Sequence, residues 1–374
     1  VLASAMSVSA QSDGDAAASP SPASPGASPS VPPMERCSRD DVVGAGANTT
    51  GGSGGRVAEV QTPRELIQAV ELGRRPLKVR IVVAEPEVWT VGRVTIDEGD
   101  LTLEGSPDVV FRGSQFQVRA SNVILRNLYS GTGDETLEGD DPADFEPFTV
   151  NGFLRPVTNV VLQCVVGIWG PDIGGLAVLG DANNVTVQDS IFGEGLYLSK
   201  HPEATPQRDG HSHGVNLTRG EKEHMLNNVT VTRNLIVRSE GRMPKITGGR
   251  QMELVNNLII GWGSRAPEGN AESVSVVGNY LIPSEQSTEL LVWSPRAQSA
   301  DPRFYRDSVW LSGNVLEGHG GDELRGPPRR VYRESPAFPA TLEAMTAEQA
   351  RDHVIAFAGG PDRPAWAQRV VDDA

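Results

Sequence analysis

Five short segments of the chain share one pattern, and this pattern decides the fold. Each reads as a strand, a polar turn residue and a second strand, because aliphatic and β-branched residues flank a Ser or Asn. Aligned on Ser190, Asn234, Asn257, Asn279 and Asn314, they are spaced by 44, 23, 22 and 35 residues. The segments are VTVQDSIF (185–192), VTVTRNLI (229–236), MELVNNLI (252–259), VSVVGNYL (274–281) and VWLSGNVL (309–316).

Repeats of 22 or 23 residues built from strand–turn–strand units are typical of a stacked solenoid. Each coil must bury its apolar face on its neighbours, and the equivalent strands of successive coils run parallel. An Asn at the same bend of successive coils can hydrogen-bond to its copies above and below. SNVILRNL (121–128) and TNVVLQCV (158–165) extend the series upstream. The alternative is an antiparallel sandwich with irregular loops.

One helix is expected before the repeats. TPRE (62–65) is a capping box with proline at the first helical position, and Gly73 ends the helix. This helix would cap the open apolar end of the solenoid. Its apolar positions are Leu66, Ile67, Val70 and Leu72.

The glycine-rich stretch GAGANTTGGSGG (44–55) precedes this helix. It lacks the G-x-x-x-x-G-K-[ST] pattern of a phosphate-binding loop, so we interpret it as a tight structural loop.

A second helix is expected near the C-terminus, over Thr346–Ala358. Thr346 and Gln349 form its capping box and Gly359 ends it. The chain then divides into an Ala/Ser/Pro-rich segment (1–36), the solenoid (37–335) and a C-terminal flanking segment with one helix (336–374).

Residues 1–36 are not expected to fold. VLASAMSVSA (1–10) is interpreted as the tail of a signal peptide, and Gln11–Met34 as a disordered linker. Secretion is therefore expected, and the alternative is a disordered tail on a cytosolic protein.

Composition excludes several classes of protein. The 374 residues include 33 Lys+Arg and 48 Asp+Glu, a formal net charge of −15, which argues against a nucleic-acid partner. The sequence contains no run of 18 or more apolar residues, so no membrane span is expected. Two cysteines are too few for a disulfide-stapled scaffold or a four-thiolate zinc site.

Several stretches together resemble the pectate lyase family (polysaccharide lyase family 1). The resemblance covers about residues 40–360 and implies a right-handed, single-stranded parallel β-helix. It rests on the glycine-rich loop, SNVILRNL, NNVTVQDSIFGEGL (183–196), HSHG (211–214), RMP (242–244), LVNNLIIGWG (254–263) and HVIAFAGG (353–360).

This resemblance implies β-elimination of an acidic polysaccharide such as pectate. A base removes the proton α to the sugar carboxylate, and the glycosidic oxygen leaves. Arg242, in R-x-P, lies at the family's catalytic position, although arginine is ordinarily always charged. Expected substrate contacts are Lys245, which is one of four lysines in the chain, His213, His211 and Arg250.

The two histidines of HSHG leave other roles open. His211 and His213 are spaced i, i+2, so on a strand they share a face. Structural hydrogen bonding or a transition-metal site are alternatives to substrate contact.

The resemblance also implies a Ca²⁺ cofactor. Asp144 and Glu146 match the family's acidic pair, although the acidic run before them could equally be a solvated loop. A second pair is incomplete, since Ala177 stands for an aspartate and Ile173 for the other acid. Asp172, which is one residue from Ile173, would supply the missing acid if its loop shifts. Gln163 and Cys164 likewise replace a familiar Asp-His pair.

The leading hypothesis is a secreted, monomeric pectate-lyase-like polysaccharide lyase. A non-catalytic β-helix protein that binds polysaccharide, or a glycoside hydrolase on the same fold, are the alternatives. Cys37 and Cys164 form a disulfide if the N-terminus folds back; otherwise Cys164 is a buried small hydrophobe.

Overall fold

A computed structural model describes residues 37–137, 141–205, 210–221, 223–264, 266–287, 308–319 and 332–374. The expected signal peptide and linker (1–36) lie outside the described residues. Glu138 and Asp140 of the acidic run also lie outside them.

The described strands pair in parallel and form two sheets, of fourteen and nine strands. Strands that are adjacent in one sheet come from successive coils, so the chain winds as a parallel β-helix. The hand of such parallel connections is right-handed. The predicted solenoid is therefore confirmed, and the antiparallel sandwich is wrong.

The larger sheet covers two faces of each coil. Three of its long strands continue through the bend between these two faces. Its strands are β1 (Arg56–Val60), β2 (Leu77–Ile81), β4 (Gly92–Ile96), β5 (Leu101–Glu104), β7 (Ser114–Val118), β8 (Val123–Arg126), β10 (Phe148–Gln163), β12 (Ile173–Gln188), β14 (His213–Thr218), β15 (Leu226–Thr232), β17 (Lys245–Val255), β19 (Glu268–Ala271), β20 (Val274–Val277) and β22 (Val309–Ser312).

The smaller sheet is built from the short strands that follow the polar turn residues. They are β3 (Glu87–Trp89), β6 (Val109–Phe111), β9 (Tyr129–Gly131), β11 (Val166–Ile168), β13 (Ile191–Gly193), β16 (Leu235–Val237), β18 (Leu258–Ile260), β21 (Tyr280–Ile282) and β23 (Val315–Leu316).

Columns of aliphatic side chains fill the interior of the solenoid. Residues in register on neighbouring coils stack directly above one another, so each coil buries its apolar face on the next. One such column, with every member at most 1% exposed, consists of Val123, Val160, Val185, Val229, Met252, Val274 and Val309.

The predicted ladder of amides is present at the bend between the two sheets. Asn257 Oδ1 accepts the backbone N–H of Asn234 at 3.1 Å, and Asn279 Oδ1 accepts that of Asn257 at 2.9 Å. The series continues from Ser190, whose N–H donates to Asn234, to Asn314, which accepts from Asn279. These side chains are buried, so the ladder satisfies polar groups that water cannot reach.

The N-terminal helix α1 (Pro63–Leu72) lies where it was expected. Thr62 Oγ1 accepts the Glu65 N–H at 3.2 Å, but the Glu65 carboxylate accepts from Gln61 and not from Thr62. Leu66 joins the main core, as does Val70. Leu72, expected on the apolar face, is 77% exposed and so does not pack on the core.

Two helices follow the solenoid, where one was expected. The predicted helix α2 (Ala347–Phe357) has the complete Thr346–Gln349 capping box. The unpredicted α3 (Ala365–Asp372) has no side-chain N-cap and buries Val370 and Val371. A helix this short depends on tertiary packing, which its sequence does not show. None of the helices in the described part of the chain is long and apolar enough to cross a membrane.

The glycine-rich loop is structural, as interpreted. The Gly46 N–H donates to Thr186 Oγ1 at 2.8 Å, and the Ala45 N–H donates to Thr230 Oγ1 at 3.0 Å. A Cβ on Gly52 would lie 1.9 Å from the Leu77 carbonyl oxygen. The backbone therefore lies directly against the sheet, and only glycine permits this approach.

Cys37 and Cys164 form a disulfide, with their Cα atoms 6.0 Å apart. Of the two possibilities left open by the sequence, pairing is the one that the structure shows. The bond ties the start of the described chain to the turn after β10.

Removing an amide from the ladder should destabilise the protein. The side chain of Asn257 donates to the Val231 carbonyl and to Asn279, and accepts from Asn234. Asn257→Ala leaves these buried groups without partners and should lower the free energy of unfolding by roughly 2–5 kcal/mol. Urea unfolding measures this, with the exposed Asn48→Ala as a control that should change it by less than about 1 kcal/mol. Equal effects would contradict the role of the ladder.

Candidate active site

One outward-facing row of residues crosses the larger sheet. Thr149, Ala177, Asn216, Lys245 and Glu268 lie in register on β10, β12, β14, β17 and β19. Their neighbours along each strand point into the core, as the alternation of a strand requires. Ala177 thus lies in the row between the hydroxyl of Thr149 and the amide of Asn216, where the sequence analysis expected an aspartate.

Three carboxylates converge beside this row. Asp144, Glu146 and Asp172 each offer an oxygen, and these atoms lie within 4.8 Å of one another. Ile173 is 1% exposed and pairs with His213, so it belongs to the core and not to the cluster. Asp172, one residue earlier, supplies the third acid, and the strand register shifts just after it. The three predicted metal ligands are thereby brought together.

Glu146 is the most deeply buried of these acids. Its Oε2 accepts from Gln115 Nε2 at 2.6 Å and from Thr149 Oγ1 at 3.0 Å. Burial, reinforced by the nearby charges of Asp172 and Asp144, raises its pKa to about 8. A bound cation would remove this penalty by neutralising the cluster. Because all the donors are hard carboxylate oxygens, the set suits Ca²⁺.

Arg242 lies at the edge of the acidic cluster. Its Nη1 is 4.0 Å from Asp172 Oδ1, and its side chain is 24% exposed. It precedes Pro244 with a left-handed backbone (φ 55°), and its carbonyl accepts the Val215 N–H. Burial lowers the pKa of Arg242, while the carboxylates of Asp172 and Glu268 act in the opposite direction.

A cluster of three histidines also borders Asp172. His201 stacks on His211 with ring centroids 3.8 Å apart, and His213 meets His211 edge-on at 4.3 Å. His211 Nε2 lies 2.9 Å from Asp172 Oδ1, and His201 Nε2 lies 3.8 Å from the same atom.

His213 is held in its neutral form. Burial, with further contributions from Arg242, His211 and Lys245, lowers its pKa to about 2. Its Nδ1 is buried and accepts no hydrogen bond from the residues that the structure describes. At ordinary pH it offers a hydrogen bond to a ligand but no positive charge.

The two remaining predicted contacts lie in different places. Lys245 lies in the row, beside Asn216 and Glu268. Arg250 lies beyond the bend at Gly248 and makes a bidentate pair with Glu272, at 3.0 and 3.1 Å. Its charge is therefore engaged away from the acidic cluster.

Sequence reasoning missed three residues of this site. His201 lies in the connection between β13 and β14, which has no counterpart in neighbouring coils. Gln115 binds Glu146 from a strand outside the recognised repeats. Glu268 follows Lys245 in the row, so extending the repeat alignment to outward positions would have found it.

No family model matches the chain. It is 32% identical over 323 residues to a probable pectate lyase C of Neosartorya fischeri, covering 83% of the chain and 66% of the relative. It is 26% identical over 342 residues to a probable pectate lyase C of Aspergillus flavus, covering 84% and 71%. The fold is also similar to that of a solved pectate lyase from Bacillus sp. N165 in complex with trigalacturonate. The alignment covers 85% of this chain and 98% of that structure, with a TM-score of 0.55 and 16% sequence identity.

The buried, neutral His213 should make stability depend on pH. Its folded pKa of about 2 lies below the unfolded value of 6.5, so below pH 6.5 the unfolded chain gains a proton that the folded chain refuses. The contribution of His213 to the free energy of unfolding should therefore fall as the pH decreases from 6.5, by up to about 1.4 kcal/mol per pH unit, while Glu146, with its raised pKa, contributes in the opposite direction.

His213→Gln should reduce this slope in urea unfolding measured between pH 7 and pH 5. The matched control is His319→Gln, which removes an exposed imidazole. An unchanged slope in the His213 variant would contradict the neutral assignment.

Proposed function

Since the chain belongs to the pectate lyase family, we propose that it is a polysaccharide lyase that cleaves pectate by β-elimination. The observation that carries the proposal is the convergence of Asp144, Glu146 and Asp172 within 4.8 Å, with the Arg242 guanidinium 4.0 Å from Asp172. A lyase of this kind needs a cation site beside a base, and the acidic cluster with its neighbouring guanidinium supports an assignment of both.

Arg242 is proposed as the base. It removes the proton from the carbon α to the uronate carboxylate, the electron pair forms the new C=C bond, and the glycosidic C–O bond breaks at the β carbon. A neutral guanidine is needed for this step, and an ordinary arginine supplies very little of it. Burial supports the role because it lowers the pKa of Arg242.

Asp144, Glu146 and Asp172 are proposed to hold Ca²⁺. Bound there, Ca²⁺ would supply a positive charge to the substrate carboxylate and so acidify the α proton. The chain's own part is to bring three carboxylates to one point, where a bound cation would replace the proton that the raised pKa of Glu146 favours.

Lys245 is proposed to bind a substrate carboxylate, because it is the cation of the outward row. His213 and His211 border the same cleft, where His213 would act as a neutral hydrogen-bonding group. Arg250 is a weaker candidate, since Glu272 already pairs with it.

The location is proposed to be extracellular. A disulfide such as Cys37–Cys164 persists in an oxidising compartment, and pectate is an extracellular polymer.

A non-catalytic polysaccharide-binding protein remains the second candidate. The observation that favours it is Ala177, which leaves the row without a carboxylate between Thr149 and Asn216.

The lyase is tested by following the unsaturated product on polygalacturonate by ultraviolet absorbance, with Ca²⁺ or a chelator. Arg242→Gln should lower kcat by roughly 10²–10⁴-fold, because it removes the base but keeps a long polar side chain. Arg80→Gln is the matched control and should change kcat by less than about threefold, since Arg80 pairs with Glu104 and has no role in the proposed site.

Two results would overturn the proposal. Wild-type protein that binds polygalacturonate without forming the chromophore would be the binding module. Release of reducing sugar without the chromophore would identify a hydrolase.

A further inference from the structure

Asp172 is shared by two clusters of the structure. With Asp144 and Glu146 it forms the acidic cluster, and with His201 and His211 it forms a second group whose ligand atoms also lie within 4.8 Å of one another. Its Oδ1 faces the two imidazoles and the Arg242 guanidinium. The histidines are thus placed to act on the carboxylate, either as ligands of a second metal or as hydrogen-bond donors.

The hydrogen bonds of the two rings decide between these roles. The backbone N–H of Glu203 donates to His201 Nδ1 at 3.0 Å, so neutral His201 carries its proton on Nε2, the atom that faces Asp172. His211 Nε2 lies 2.9 Å from a carboxylate, which only accepts, so it too carries a proton. A metal would need the lone pairs of these nitrogens, and they are occupied by hydrogen.

Packing fixes the orientation of both rings. They are nearly parallel, with an interplanar angle of 6°, and each side chain is about 7% exposed. The His211 backbone N–H also donates to the Tyr197 carbonyl at 2.9 Å. A ring that cannot turn holds its hydrogen-bond partner in one place.

Lys200, next to His201, anchors this segment to residues 134–137. Its Nζ donates to the Leu137 carbonyl at 2.8 Å and to the Glu135 carbonyl at 3.1 Å, and its backbone N–H donates to Asp134 Oδ2. The segment bearing the histidines is therefore bound to the acidic segment that precedes Asp144 and Glu146.

We propose that His211 is a positioning residue for the cation site. Its Nε2–H bond holds the Asp172 carboxylate within reach of Asp144 and Glu146, and the stacked His201 keeps the His211 ring in place. The inference rests on the proposed function, because the cation is the Ca²⁺ of that site. Hydrogen-bonded partners of metal ligands commonly set metal affinity in this way.

Calorimetric titration of the whole protein with Ca²⁺ tests the proposal without relying on activity. His211→Leu should raise the Kd for Ca²⁺ by about 10–100-fold. His211→Gln, whose amide N–H can replace the imidazole donor, should recover most of the affinity. Asp172→Asn should lose more than either variant, because it removes a ligand.

The matched control is His224→Leu. His224 Nδ1 lies 2.9 Å from Asp181 Oδ2, a histidine–aspartate pair of the same length outside the cluster, so its loss should leave the Kd unchanged. Circular dichroism and thermal unfolding of each variant verify that it folds, and the Gln variant keeps the test decisive if the Leu variant does not.

Four outcomes separate this inference from the proposed function. A Kd within twofold of wild type for His211→Leu, with product still formed, overturns the positioning role alone. Weakened Ca²⁺ binding in His211→Leu, recovered in His211→Gln, supports it even if wild type forms no product. Wild-type protein that binds no Ca²⁺ overturns it. Zn²⁺ binding that requires both histidines, with Ca²⁺ binding unaffected in their variants, also overturns it by making them ligands.

Discussion

The ladder of buried amides at one bend is the constraint on which the rest of the structure depends. Each asparagine must meet the backbone of the next coil, since an unpaired polar group there has no access to water. This requirement fixes the register of the coils from Ser190 to Asn314 against their neighbours. The aliphatic columns inside and the polar row outside, from Thr149 to Glu268, follow from that register. A shift of one residue in this register would point the core-facing side chains outward and the outward-facing side chains into the core.

Several residues of the site lie on the connections between the repeated strands. The ladder spacing of 23 or 22 residues leaves little beyond the strands, whereas Ser190 and Asn234 are separated by 44. The extra length carries His201 and His211, and the connection before β10 carries Asp144 and Glu146. A rigid stack of coils thus holds irregular loops at fixed positions, and loops held in this way commonly carry function.

The electrostatics of the site balance burial against charge. Three acids converge, and burial raises the pKa of Glu146 to about 8. The same burial lowers the pKa of Arg242, although carboxylates around it act in the opposite direction. The overall charge of −15 says little about this balance, because it depends on a few groups whose separation and desolvation arise from folding.

The sequence by itself determined the solenoid, its amide ladder, the capping helix α1 and the helix α2, because these depend on local period and capping residues. It also identified Arg242 and the acids at 144, 146 and 172 as candidates. Only the tertiary structure decided that Asp172 joins the cluster, that Arg250 is engaged elsewhere, that Cys37 pairs with Cys164 and that α3 forms. Each of these depends on contacts between residues distant in the chain, which no local pattern records. Burial, likewise a tertiary property, decided that His213 is neutral.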